Sequence, residues 1–169
     1  MSHDVSNTTN TTHHQVTTEQ QVPGASNVDY EKVNAILYCE GSFGCDKNTR
    51  ANGVMRTSRA FNVHAVIDSD KAYMDAGQVL DGTASGIPIC RDLNHAMRRT
   101  HNTASHFIFG VEKGNGELTA KDRYALFQAM EKGLHIVSDM QAQLSGEECV
   151  VRKAESCGVT LVQFPGVHC

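Results

Sequence analysis

The sequence predicts an α/β protein: a Rossmann-like, doubly wound parallel sheet of about six strands with helices on both faces. Three observations carry this. From residue 35 to residue 164, short β-branched or aromatic runs alternate with helix-length segments. The runs are nearly continuous in apolar character, as strands buried on both faces are. Strands that alternate with helices are joined by right-handed crossovers, which makes their pairing parallel.

The strands are read at "AILYC" (35–39), "VHAVID" (63–68), "IPIC" (87–90), "HFIFGV" (106–111), "LHIVS" (134–138) and "VTLVQF" (159–164). Between the first two, residues 48–59 set Ala51, Val54, Met55 and Ser58 on one helical stripe. "RDLNHAMRRT" opens with Asp92 as an N-cap and brings Leu93, Ala96 and Met97 together. "TAKDRYALFQAMEKG" is capped by Thr119, presents Tyr124, Phe127 and Met130 as its apolar face and stops at Gly133. "GEECVVRKAESCG" repeats that grammar and closes on Gly158. "GQVLDGTASG" (77–86), turn-rich and without Lys or Arg, reads as a loop leading into the third strand.

Ahead of this domain, assigned to residues 32–169, lie 31 residues with four acids, no Lys or Arg and a Thr/Asn/Gln-rich run. So little apolar surface cannot offset the entropy of ordering, and residues 1–31 are expected to form a disordered polar tail. The tail also carries the net charge of −4, leaving residues 32–169 with 15 Lys plus Arg against 15 Asp plus Glu. A neutral domain without a basic stripe excludes a nucleic-acid partner. The absence of a bilayer-length apolar run or secretory leader excludes a membrane and predicts a soluble, cytoplasmic protein. Six cysteines, none in a C-x-x-C pair, predict neither a zinc site nor a disulfide framework; Cys39, Cys90 and Cys149 read as small core side chains. The histidines lack metal-ligand spacing.

In open parallel sheets ligands bind beyond the carboxyl ends of the strands, where strand order reverses. After the first strand, "EGSFGCDKNT" offers a glycine turn at Gly41 and Gly44 running into a helix N-terminus, with Ser42, Lys47 and Thr49 as further donors for an anion. Neither G-x-G-x-x-G nor Gly-Lys-Ser/Thr is satisfied, so a turn that merely links strand to helix is an equal reading. Asp68 ends the second strand where a ribose-binding acid would sit, or starts an Asx turn. Gly110, Gly114 and Gly116 after the fourth strand would permit close approach of a cofactor beside Lys113, or form a surface loop. After the fifth, Ser138, Asp139 and Gln141 are candidates for contacting substrate. Gly44→Val is expected to abolish anion binding and leave the fold largely intact.

In order, "EGSFG", "ANGVMRTSRAFNVHAVIDS", "DAGQVLDGTASGIPI", "FIFGVEKGNGELTAKDR" and "AMEKGLHIVSDMQAQLS" resemble the N-terminal domain of the D-glutamate N-acetyltransferase-like family, long catalogued as a domain of unknown function. The resemblance covers nearly all of residues 33–169. It implies a Rossmann-like domain paired with a C-terminal P-loop domain, and acetyl transfer to the amino group of D-glutamate with acetyl-coenzyme A, or another nucleotide, as cofactor. Thr49-Arg50 stands where the family tends to show Lys-Thr, and Asp139-Met140-Gln141 where it tends to show Gly-Leu-His. The sequence stops at Cys169, before the family's P-loop half, so a P-loop domain or subunit is the expected partner, a small-molecule ligand and a homo-oligomer being the others. The alternative expectation is a stand-alone, non-catalytic nucleotide- or metabolite-binding module that regulates a partner.

Overall fold

A computed structural model of the chain describes residues 31–46, 48–112 and 117–164, without the side chains at 141 and 142. Residues 1–30 of the expected tail, Lys47, Gly114, Gly116 and the "PGVHC" terminus lie outside the described residues.

Six parallel strands, β1 (Val33–Tyr38), β2 (Phe61–Ile67), β3 (Ile89–Cys90), β4 (His106–Phe109), β5 (His135–Ser138) and β6 (Leu161–Gln163), lie in the order β3-β2-β1-β4-β5-β6. Helices α1 (Thr49–Thr57), α2 (Ala76–Asp81), α3 (Leu93–Arg99), α4 (Ala120–Glu131), α5 (Gln141–Gly146) and α6 (Glu148–Cys157) fill the crossovers. The order reverses between β1 and β4, the switch point at whose carboxyl edge open parallel sheets hold their ligand crevice.

Alternate residues of β1 face two cores. Ile36 and Tyr38 join Phe107, Phe109 and Ile136 beneath α3, α4 and α6, while Ala35 and Leu37 join Val66 and Ile108 beneath α1 and α2. A strand with apolar side chains on both faces has no solvent face, which is why these runs read as continuous rather than alternating.

The helix starts follow from their caps. The Asp92 carboxylate accepts the His95 amide at 2.7 Å, and Thr119 and Asp122 bond each other's backbone amides in a capping box at the head of α4. Each such cap is worth about 1 kcal/mol. Gly158 ends α6 with a left-handed φ of 67°.

Three sequence expectations are corrected. Tyr124 is 64% exposed, because α4 buries the stripe Asp122, Leu126, Ala129 and Met130, and a side chain two residues beyond the first of these points outward. Cys149 is exposed because the buried stripe of α6 runs through Val150 and Ala154. The stretch 77–86 is no plain loop: α2 forms in it, capped by Asp75, whose carboxylate accepts the Gln78, Ser85 and Gly86 amides. Gly77 hides this helix in the sequence. It is there because a Cβ would fall 2.4 Å from the Thr83 carbonyl oxygen.

Candidate functional site

The crevice is built by four connections: the β1–α1 turn, the segment after β2, the segment after β4 and the head of α5. The turn has the backbone that the glycines forecast, with φ of 73° at Gly41 and 74° at Gly44. Its amides do not face outward. Asp68, fully buried, accepts the Gly41 amide at 3.2 Å, the Phe43 amide at 3.0 Å and the Asp70 amide at 3.0 Å, with Lys71 Nζ 3.8 Å away. The Ser42 amide donates to the Cys39 carbonyl and the Gly44 amide to Asn52 Oδ1. The anion held by the glycine turn is thus the protein's own carboxylate, and Asp68, read from sequence as a ribose acceptor or an Asx turn, caps the segment after β2 and fastens it to β1.

The N-terminus of α1 is filled in a similar way. Asn48, 1% exposed, accepts the Ala51 amide, and its own side-chain amide donates to Ser42 Oγ at 2.8 Å and the Gly110 carbonyl at 2.9 Å. Glu112, on the segment after β4, accepts Thr49 Oγ1 at 3.3 Å and the Arg50 amide at 3.4 Å. A carboxylate therefore rests where the helix dipole would attract a phosphate.

Of the sequence-predicted residues, Gly41, Ser42, Gly44, Thr49 and Asp68 are brought together at this turn. Gly110 is buried, and its missing side chain lets β4 lie against β1, since a Cβ would meet Leu37 Cδ1 at 2.9 Å and the Tyr38 carbonyl oxygen at 3.1 Å. Ser138 is also buried, its hydroxyl accepting the Met140 amide at 3.0 Å. Asp139 stands at the crevice in an ion pair with Arg50, and Gln141 opens α5. Lys47, Gly114 and Gly116 belong to the undescribed residues.

Several residues of this edge went unnoticed in the sequence. Glu40 accepts the Ser69 amide and hydroxyl and the Lys121 ammonium, tying β1, the segment after β2 and the head of α4 together. Burial would push its carboxyl up, but the Lys121 and Ser69 hydrogen bonds outweigh it and hold Glu40 below the usual carboxylate range. Tyr38, 3% exposed, has a hydroxyl without a well-formed hydrogen bond; burial first, then the Asp122 and Glu40 charges, push its titration up. Glu40 could have been suspected from its place directly before Gly41; Arg50 and Lys121 had no local signal. Among the described residues no group of three or more His, Cys, Asp or Glu could hold a metal ion, and no helix is long and apolar enough to cross a membrane.

A dinucleotide bound in the Rossmann manner would rest its pyrophosphate on the turn amides and its ribose on the acid after β2. In this arrangement both are engaged inside the protein, so that mode does not fit the turn as it stands.

Strand order, crossovers and the position of the crevice define a Rossmann-like α/β domain. The chain belongs to the family described as "Domain of unknown function (DUF1611_N) Rossmann-like domain", whose profile matches residues 69–164. Among solved structures it is similar to a DUF1611 family protein from Anabaena variabilis, with 17% identity and a TM-score of 0.62 over 78% of this chain and 36% of that one. It is also similar to the amine dehydrogenase of Mycobacterium smegmatis, with 18% identity and a TM-score of 0.55 over 79% of this chain and 39% of that one. At such identities the likeness is one of fold. The chain spans well under half the length of either structure. No curated protein matches it in sequence.

Proposed function

We propose that this chain is the N-terminal, nucleotide- or coenzyme-A-type binding domain of a D-glutamate N-acetyltransferase-like protein, acting in the cytoplasm together with a P-loop domain or subunit. The observation that carries the reading is the reversal of strand order between β1 and β4, which gathers Thr49, Arg50, Glu112 and Asp139 around one crevice. The similar Anabaena variabilis family protein is a longer chain, which supports a second half that works with this one. Because the turn amides are engaged, the anionic part of acetyl-coenzyme A or another nucleotide would take the place of Glu112 at α1 and meet Arg50. No described residue is assigned as the base that acyl transfer to an amine requires.

The test is a thermal-shift and calorimetric titration of the chain with acetyl-coenzyme A, NAD, ATP and D-glutamate, alone and with Glu112→Gln. A ligand at a hundred times its dissociation constant stabilises the fold by about 2.7 kcal/mol. Acetyl-coenzyme A or a nucleotide should raise the midpoint, and Glu112→Gln, which weakens the competing anion, should tighten binding. A crevice ligand whose affinity is indifferent to Glu112→Gln overturns the placement.

A second reading, a non-catalytic nucleotide- or metabolite-binding module that regulates a partner, is favoured by the hold of Asp68 and Glu112 on the turn and helix. It predicts binding without turnover when the P-loop half is supplied.

A further inference from the structure

Among the described residues three non-glycines adopt a left-handed φ: Tyr73 at 73°, His101 at 52° and Asn102 at 56°. Asn tolerates this region, but a bulky ring does not, and such a residue persists only where its surroundings hold it. Tyr73 is held. Its amide donates to the Ile89 carbonyl at 2.8 Å, and its ring lies 5.4 Å from that of His95, itself oriented by the Arg91 amide on Nδ1. Yet the tyrosine is 73% exposed, so its other face is open to solvent.

Tyr73 and His101 line two adjoining clefts at the β3 edge, away from the crevice between β1 and β4. The smaller, about 310 Å³, has Tyr73, Met74, His95 and Arg99 on its walls. The larger, about 810 Å³, has His64, Arg98, Arg99 and His101, and the two share Arg99, Gly86 and Pro88. Arg50, Arg56, Arg91, Arg123 and Arg152 each pair with an acid, whereas Arg98 and Arg99 have no acidic partner among the described residues. They complement the negative end of α3, a role that leaves guanidinium donors to spare. The acid lining the smaller cleft, Asp75, already accepts the amides of Gln78, Ser85 and Gly86.

We propose that this double cleft binds an aromatic monophosphate, of which a mononucleotide is the simplest common form. The planar ring stacks on the open face of Tyr73, and the phosphate meets Arg98, Arg99 and His101. Stacking on a braced aromatic tolerates many rings, while paired guanidinium groups suit phosphate oxygens.

The test is a calorimetric titration of the full chain with AMP, adenosine and inorganic phosphate, repeated on Tyr73→Gly, Arg99→Gln and, as a control for the crevice, Glu112→Gln. Glycine adopts the φ of Tyr73 freely, so Tyr73→Gly removes the ring and relieves the backbone. AMP should bind, adenosine and phosphate each about tenfold more weakly or worse, and Tyr73→Gly and Arg99→Gln should each weaken AMP by about tenfold. Those losses from Tyr73→Gly and Arg99→Gln should persist in a Glu112→Gln background, whatever that variant does to nucleotide binding at the crevice, and the unfolding midpoint of Tyr73→Gly should equal or exceed the wild type's. The proposal is overturned by absence of AMP binding at millimolar concentration or by wild-type AMP affinity in either cleft variant. Wild-type affinity in both cleft variants together with a response to Glu112→Gln would place AMP in the crevice, overturning the cleft proposal and leaving the proposed function standing.

Discussion

Replacing Asp68 by alanine removes the acceptor that three backbone amides share. The Phe43 amide is buried, and an unsatisfied buried donor costs about 1–3 kcal/mol. The Gly41 and Asp70 amides are only partly buried and can turn to water, so each loses about 0.5–1.5 kcal/mol. The total is about 2–6 kcal/mol, a large share of the roughly 5–15 kcal/mol that stabilises an ordinary domain. Urea unfolding followed by circular dichroism reads it directly. With a slope of about 1–3 kcal/mol per molar urea, the midpoint should fall by at least about 0.7 M. Asp68→Asn keeps one acceptor oxygen and should lie between alanine and wild type. A loss below about 1 kcal/mol for Asp68→Ala would refute the idea that this carboxylate holds the turn shut.

Gly44→Val, expected from sequence to leave the fold intact, is now expected to destabilise it by about 2–4 kcal/mol in thermal unfolding, because the residue sits at φ 74° and a Cβ falls 2.8 Å from Val79 Cγ1. Acid should weaken the fold through two carboxylates. Hydrogen bonds from Ser85, Gln78 and Gly86 hold Asp75 down at about 2, and Lys121 and Ser69 hold Glu40 below its usual range against its burial. A lowered folded-state value means stability present above pH of about 4 and lost as pH falls toward 2; Asp75→Asn should flatten that limb of a pH-stability curve. Thiol labelling at pH 8 should modify the exposed Cys45 and Cys149 quickly and Cys39 and Cys90 only on unfolding. Burial pushes the Cys39 thiol well up and the Cys90 thiol up to about 11, so neither supplies thiolate in the folded state.

The architecture was legible because it rests on local features. Apolar runs bounded by Gly and Asp mark β1, β2, β4 and β5; Thr119 and Asp92 mark helix starts; and Gly158 marks a helix end. What escaped the sequence depends on contacts between segments distant along the chain. α2 was obscured by a glycine whose reason is a carbonyl six residues on, and the outward turn of Tyr124 follows from which stripe of α4 meets the core. The candidate site divides along the same line. The positive φ of Gly41 and Gly44 could be read from their spacing, whereas the carboxylate that satisfies their loop comes from 25 and more residues away. Glu112 caps a helix 62 residues before it, and no spacing rule connects the two.

The segment that leads into α2 has a further effect. Tyr73 and Ala76 donate their amides to the Ile89 and Ile87 carbonyls, and Met74 accepts from the Ile89 amide, so a short antiparallel stretch seals the outer margin of β3. A sheet with one margin closed can lengthen only at the other. Among the described strands, recruitment of an extra strand, from this polypeptide or from a neighbour, is thereby directed to β6, and a ribbon shared between subunits would run through Leu161–Gln163.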